Sequence, residues 1–301
     1  MIEKLAVIGV GLIGGSVAMA LREEGLVREV VGCGRGAANL IKAQELGVID
    51  HYTHDSAEAV RGADMVLLAV PLGAMRATLE SICEHLEKHA VVTDAGSVKG
   101  SVIRDVRAVF GQVPEFFVPG HPIAGTERSG VEAAFATLYR NRRVILTPTV
   151  ETRPEALQRV ESLWKACGAE VTYMSVEHHD EVLAATSHLP HMLAFSLVET
   201  LSRMKENDEI FRFAAGGFRD FTRIASSNPV MWRDICLANQ QALGGMLTRF
   251  ADDLHELARI LEQGDSEGLL KLFNSAKQAR DRYVDGIGES GSARTDLREE
   301  P

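Results

Sequence analysis

The stretch LAVIGVGLIGGS, residues 5 to 16, narrows the possible folds more than any other part of the chain. A short apolar run ends in Gly9, Gly11 and Gly14, spaced G-x-G-x-x-G, and the chain continues as SVAMALREEG with helical periodicity. Strand, glycine turn and helix form the context in which this spacing marks a dinucleotide site. The first glycine permits the tight turn, the second lets a pyrophosphate approach the backbone, and the third packs helix on strand. The phosphates then rest on the helix N-terminus, where free N–H groups and the helix dipole favour anions. Gly9, Gly11, Leu12, Ile13 and Gly14 are the expected cofactor loop, with Val70 and Pro71 at the end of a later strand.

The pattern continues through the first half of the chain. Residues 5–10, 28–33, 63–71, 89–96, 115–120 and 142–149 are short Val/Ile-rich runs, and 168–175 adds one more strand. Helical segments such as 16–25 and 74–89 lie between them. Continuous apolar strands joined by crossover helices predict an α/β fold, a Rossmann-type doubly wound parallel sheet covered on both faces. From Val176 the apolar spacing turns helical over 176–204, 229–264 and 266–287, and the second half is expected to be all-helical. Its apolar positions exceed one helix face, which predicts burial against a second copy, a homodimer. A chain of 301 residues suits two domains. They are placed at 1–172 for nucleotide binding and 173–287 for substrate and dimerisation, with 288–301 as a mobile tail.

Composition sets the exclusions. A formal net charge of -10 argues against nucleic acid or an anionic membrane as partner, since both require a basic footprint. The N-terminal apolar run carries Glu3 and is broken by glycines, so it reads as a strand and not as a signal peptide or a membrane span. Cys33, Cys83, Cys167 and Cys236 lie far apart with no CxxC pair, the pattern of reduced thiols in a cytoplasmic protein.

Cofactor choice turns on the end of the second strand. NAD-selective sites place an acid there for the ribose 2′-OH. Here Gly34 occupies that place and Arg35 follows, which favours NADP over NAD: nothing repels a 2′-phosphate and a guanidinium is at hand to bind one. The alternative has Arg35 stacking on adenine or pointing to solvent.

Ligands of open parallel sheets gather outside the carboxyl ends of the strands. Ser97, in DAGSVK, and His121, in GHP, follow successive strands and are expected within hydrogen-bonding reach of each other. A neutral imidazole suits the removal of a hydroxyl proton as hydride leaves, so His121 is the candidate base. In the second half, His188 and His191 stand i, i+3 in SHLPH and can share a helix face, with Pro190 kinking or starting the helix. No third ligand accompanies them, so no metal is expected. Arg219, Asp220 and Arg223 cluster in GGFRDFTRIASSNP, and Arg223 offers a bidentate fork to a carboxylate. His178-His179-Asp180-Glu181 reads as the opening of a helix.

GVGLIGGS, DAGSVK, GHPIAGTERSG, SHLPH and FRDFTRIA, in that order, resemble the prephenate/arogenate dehydrogenase family of tyrosine biosynthesis, over about residues 3 to 285. The resemblance implies an oxidoreductase that uses NADP or NAD in the oxidative decarboxylation of prephenate to 4-hydroxyphenylpyruvate, or of arogenate to tyrosine. It implies His121 as the catalytic histidine and Ser97 as its hydrogen-bonding companion. Arg223 would bind substrate carboxylate, and His191 or His188, with Trp232, would line the pocket; the hydroxyl of Thr126 in HPIAGTERSG reads as a further substrate contact. Lys99 and Arg128 are further cations for a polyanionic substrate. Two rivals remain at this stage. One is another two-domain oxidoreductase of the β-hydroxyacid dehydrogenase or imine reductase type, which would want a pocket lysine; the other is a non-catalytic NAD(P) sensor.

Overall fold

The computed structural model describes residues 1–126, 128–205 and 207–291. The chain opens with β1 (Ile2–Ile8), α1 (Leu12–Glu23), β2 (Val27–Cys33), α2 (Ala37–Glu45), β3 (His51–Thr53), α3 (Ser56–Val60), β4 (Met65–Leu68) and α4 (Leu72–Ile82). It continues through β5 (Val91–Asp94), α5 (Lys99–Phe110), β6 (Phe117–Val118), β7 (Gly120–Pro122), β8 (Arg143–Leu146), α6 (Pro154–Ala166) and β9 (Glu170–Tyr173). Strands β1 to β6 make one sheet in the order β3-β2-β1-β4-β5-β6, parallel throughout. The order reverses between β1 and β4, and the crevice outside that switch point is where such sheets bind ligands.

Alternation along β1 shows how the sheet is covered. Leu5 and Val7 join an apolar cluster with Leu21, Val160 and Trp164 from α1 and α6, while Ala6 and Ile8 join another with Met75, Leu79 and Val102 from α4 and α5. Successive side chains of a strand point to opposite faces, so one strand serves two cores. β4 and β5 are buried at every position, and β4, MVLL, reads as an unbroken apolar run for that reason.

The strand expected over 115–120 divides at Pro119. β6 ends the large sheet, and β7 leaves it to pair antiparallel with β8, which pairs in parallel with β9. The HPIAGTERSG segment therefore begins as a strand and not as a loop. β3, three residues long, carries no sequence pattern that foretells it.

After β9 the described residues are helical: α7 (Val176–Leu183), a π-helical turn (Ala184–His188), α8 (Leu189–Ser202), α9 (Asn207–Arg212), α10 (Gly216–Thr222), a 3-10 turn (Arg223–Ser226), α11 (Pro229–Ala238), α12 (Gln240–Glu262) and α13 (Ser266–Gly291). This matches the all-helical expectation. α13 runs through Gly291, and of the tail expected at 288–301 residues 292–301 lie outside the described residues. By compactness the chain divides at Met1–Gly244 and from Gly245 onward, not where the helical texture begins. The reason is that α5 packs on α7, and α4 on α11, so the first helices of the second half adhere to the nucleotide-binding half. Among the described residues no helix is long and apolar enough to cross a membrane.

Candidate active site

The glycine loop has the geometry a dinucleotide needs. Gly9 sits at φ +101°, and a Cβ there would lie 2.3 Å from the Ala69 carbonyl oxygen, so only glycine fits. A Cβ on Gly14 would lie 2.4 Å from the Gly9 carbonyl oxygen and 2.7 Å from Val7, the close approach of helix to strand. Gly11, by contrast, faces open space within 4 Å and caps α1 with no side-chain hydrogen bond, which leaves the first N–H groups of the helix available to an anion. Leu12 and Ile13 open α1, and Val70 and Pro71 follow β4, with Pro71 at the N-cap of α4. Arg35 is exposed just beyond β2, and His54 Nδ1 lies 2.8 Å from the Gly34 carbonyl oxygen. These residues fit a nicotinamide dinucleotide.

At the carboxyl end of β5, Asp94 organises the next strand. Its carboxylate accepts the Gly120 N–H (3.2 Å) and pairs with Lys99 Nζ (2.5 Å), and the ammonium also donates to the Gly120 carbonyl (2.5 Å). Lys99 and Asp94 are both wholly buried. A buried pair of this kind recovers its desolvation cost only through close geometry and extra hydrogen bonds, which both partners have here. Burial lowers the Lys99 pKa, and Asp94 opposes that shift. Lys99 is thus a clamp under β7, and the expectation that it serves as a cation for substrate is corrected: a side chain with no exposed surface meets no ligand.

His121 follows Gly120 on β7, opposite Ile145 of β8, and is 9% exposed. Its Nδ1 stands 2.9 Å from Nε2 of His179, whose own Nδ1 stands 2.8 Å from Asp180 Oδ1. Asp180 in turn accepts the N–H groups of Lys99 and Gly100, each at 2.8 Å, at the start of α5. Burial first, then His179, Lys99 and His188, hold the His121 pKa well below the ordinary histidine value, so the ring is neutral near pH 7. Burial also lowers the His179 pKa, against the pull of Asp180. The expected Ser97–His121 pair is therefore corrected: the companion of His121 is His179, and Ser97 lies half-buried in the bend between β5 and α5.

Sequence reasoning treated His179 and Asp180 as part of a helix start, and Ser175 does cap α7 by accepting the His178 N–H. Nothing local in the sequence brings His179 and Asp180 to this site; the structure does so at Gly100, where a Cβ would lie 2.7 Å from Asp180 Oδ2.

The two histidines of SHLPH part company. His188 is 1% exposed, with Nδ1 3.2 Å from Asn239 Nδ2, and burial lowers its pKa to about 4. His191 is half-buried, bonds through Nδ1 to the Ser187 carbonyl (2.8 Å) and stacks on Trp232 at 3.7 Å between centroids. Trp232 is 6% exposed, and its Nε1–H finds no partner among the described residues. A buried donor left unmet is costly unless a ligand meets it. Arg223 opens the exposed turn that packs beside α8, and Thr126 Oγ1 accepts the Arg128 N–H at 3.2 Å.

Comparison with known proteins identifies relatives along most of the chain. Residues 17–173 match the family model described as prephenate dehydrogenase, nucleotide-binding domain, and residues 175–275 match prephenate dehydrogenase, dimerization domain. The chain is 39% identical over 281 residues to the cyclohexadienyl dehydrogenase of Zymomonas mobilis, covering 92% of this chain and 95% of that one. Among solved structures, a prephenate dehydrogenase from A. aeolicus in complex with hydroxyphenyl propionate and NAD+ is similar, with TM-score 0.88, 37% identity and coverage of 94% and 99%. A Synechocystis arogenate dehydrogenase is similar with TM-score 0.79, 30% identity and coverage of 93% and 100%.

Proposed function

The chain belongs to the prephenate dehydrogenase family, and from that premise we propose which of its residues carry the reaction. The activity is the oxidative decarboxylation of a cyclohexadienyl substrate, prephenate or arogenate, with a nicotinamide dinucleotide. The observation that carries the site reading is the buried, neutral His121 on β7, just past the end of β6 in the chain. Bound nicotinamide supplies the hydride acceptor. His121 takes the hydroxyl proton as the carbinol C–H is lost as hydride. The ring carboxylate then leaves as CO₂, its bonding pair flows into the ring, and the new phenolate recovers the proton from His121. No proton is gained or lost overall, and aromatisation drives the step, so the protein needs only orientation, a base and a carboxylate clamp.

Arg223 is the proposed clamp for substrate carboxylate. His191, Trp232 and Thr126 are the proposed pocket lining; His191 has more exposed surface than His188, and the unmet Trp232 N–H is a donor for a substrate oxygen. Ser97, expected as the companion of His121, is here proposed instead as a contact to substrate or nicotinamide. Exposed Arg35, with no acid at Gly34, supports NADP as the preferred cofactor; Arg35→Ala is expected to raise the KM for NADP+ several-fold more than that for NAD+. The unpaired thiols, two of them buried, support a cytoplasmic setting. Purified protein assayed with prephenate and with arogenate, each with NAD+ and NADP+, tests the function at 340 nm. Reduction of cofactor in at least one of the four pairings is expected, and none in any pairing defeats the activity.

A further inference from the structure

His121 can act as a base only through a nitrogen that carries no proton, and its two nitrogens are not equivalent in this fold. Asp180 is hydrogen-bonded as a carboxylate: Oδ1 accepts the Lys99 N–H and Oδ2 the Gly100 N–H, on the first turn of α5, and these bonds lower its pKa together with the one from His179. A carboxylate only accepts, so His179 Nδ1 must donate to it across 2.8 Å. A neutral His179 then presents a lone pair at Nε2, and the 2.9 Å contact to His121 closes only if His121 donates from Nδ1.

We propose that His179 and Asp180 are positioning residues for the reaction, holding His121 in its Nδ1–H tautomer so that Nε2 is the proton acceptor. The proposal rests on the reading of His121 as the base. The reaction returns the borrowed proton to the phenolate, so the pair need not carry a proton away; its work is to select a tautomer and a ring orientation. The anchor comes from the nucleotide-binding half and the two positioning residues from α7. Gly100 is the residue that lets them meet, since a Cβ there would lie 2.7 Å from Asp180 Oδ2. The chain of bonds runs from the α5 N-terminus through Asp180 and His179 to His121. Lys99 holds the strand beneath through Gly120, and Asn239 secures the Asp180 carbonyl from α11's end at 2.8 Å.

The test reads the tautomer directly. Histidine-labelled protein is expected to show, by ¹⁵N NMR at neutral pH, a protonated Nδ1 and a bare Nε2 on His121, assigned by the loss of that pattern in His121→Asn. An Nε2–H tautomer in the otherwise unmodified protein overturns the proposal without any folding question. His179→Leu, which removes the acceptor, is expected to shift His121 toward Nε2–H and to lower kcat by at least about 10²-fold with substrate KM changed little. His179→Gln, whose amide oxygen can stand near the lost Nε2, is expected to restore the Nδ1–H pattern and most of kcat. Unchanged kcat and tautomer in His179→Leu would overturn the proposal, as would a loss of kcat in a folded His179→Gln as deep as in His179→Leu. If His121→Asn itself turns over normally, the base reading fails separately, and the tautomer data identify which of the two was wrong.

Discussion

At the scale of single residues, burial holds the pKa values of His121, His179 and His188 below the ordinary histidine value. His121→Asn is expected to lower kcat by roughly 10² to 10⁴-fold, the range for a lost general base, with cofactor affinity retained; unchanged kcat by the 340 nm assay would remove His121 from the mechanism. His188 has a consequence for stability. Its pKa is lowered from 6.5 to about 4 in the fold. The unfolded chain therefore binds a proton that the folded chain does not, and stability present above pH 6.5 drains away as the pH falls toward 4. At about 1.4 kcal/mol per pKa unit, His188 alone withdraws about 2 kcal/mol between pH 6.5 and 5. His121 and His179 shift in the same direction and add to this. Urea unfolding midpoints at pH 7.5 and 5 measure it: the wild type is expected to lose more than His188→Asn, which keeps an acceptor for Asn239. Equal losses would acquit His188.

At the scale of elements, the junctions matter more than the interiors. α1 begins with no side-chain cap, a deficit tolerable where a phosphate supplies the missing acceptor. Gly9→Ala adds a Cβ 2.3 Å from a carbonyl oxygen at φ +101°, and is expected to lower stability by about 1–3 kcal/mol and to weaken dinucleotide binding. Thermal melting with and without cofactor checks both; a Tm shift from cofactor as large as in the wild type would show that the loop tolerates the change. The π-helical turn at Ala184–His188 has a similar place, since it leads into α8 at Pro190. There the widened turn carries His188 and α8 carries His191, and both rings reach Trp232. Such turns are frequent at functional sites.

At the scale of the molecule, α12 and α13 leave large apolar side chains in water. Leu247, Leu254 and Leu261 repeat every seven residues along α12 and are 36%, 49% and 59% exposed, and Leu270 and Phe273 of α13 are 61% and 56% exposed. A face of this kind supports assembly with a second copy through the region that matches the dimerization model. Leu254→Glu with Leu261→Glu is expected to convert a dimer to monomer by light scattering, with dinucleotide binding retained. A wild type that is monomeric at micromolar concentration would refute the homodimer.

Some of this was legible in the sequence because it depends on local chemistry. The glycine spacing after LAVIGV, the buried strands and the helical second half follow from backbone sterics and periodicity, which neighbours along the chain decide. The partner of His121 was not legible. Ser97 is 24 residues away and follows the preceding strand, so it was the natural choice; His179 is 58 residues away on α7. Lys99 looked like a surface cation until packing closed over it. A sequence lists which side chains are able to ionise, but which of them meet, and which are stripped of water, is decided by how α7 folds back on α5. The tautomer of one ring depends on that contact.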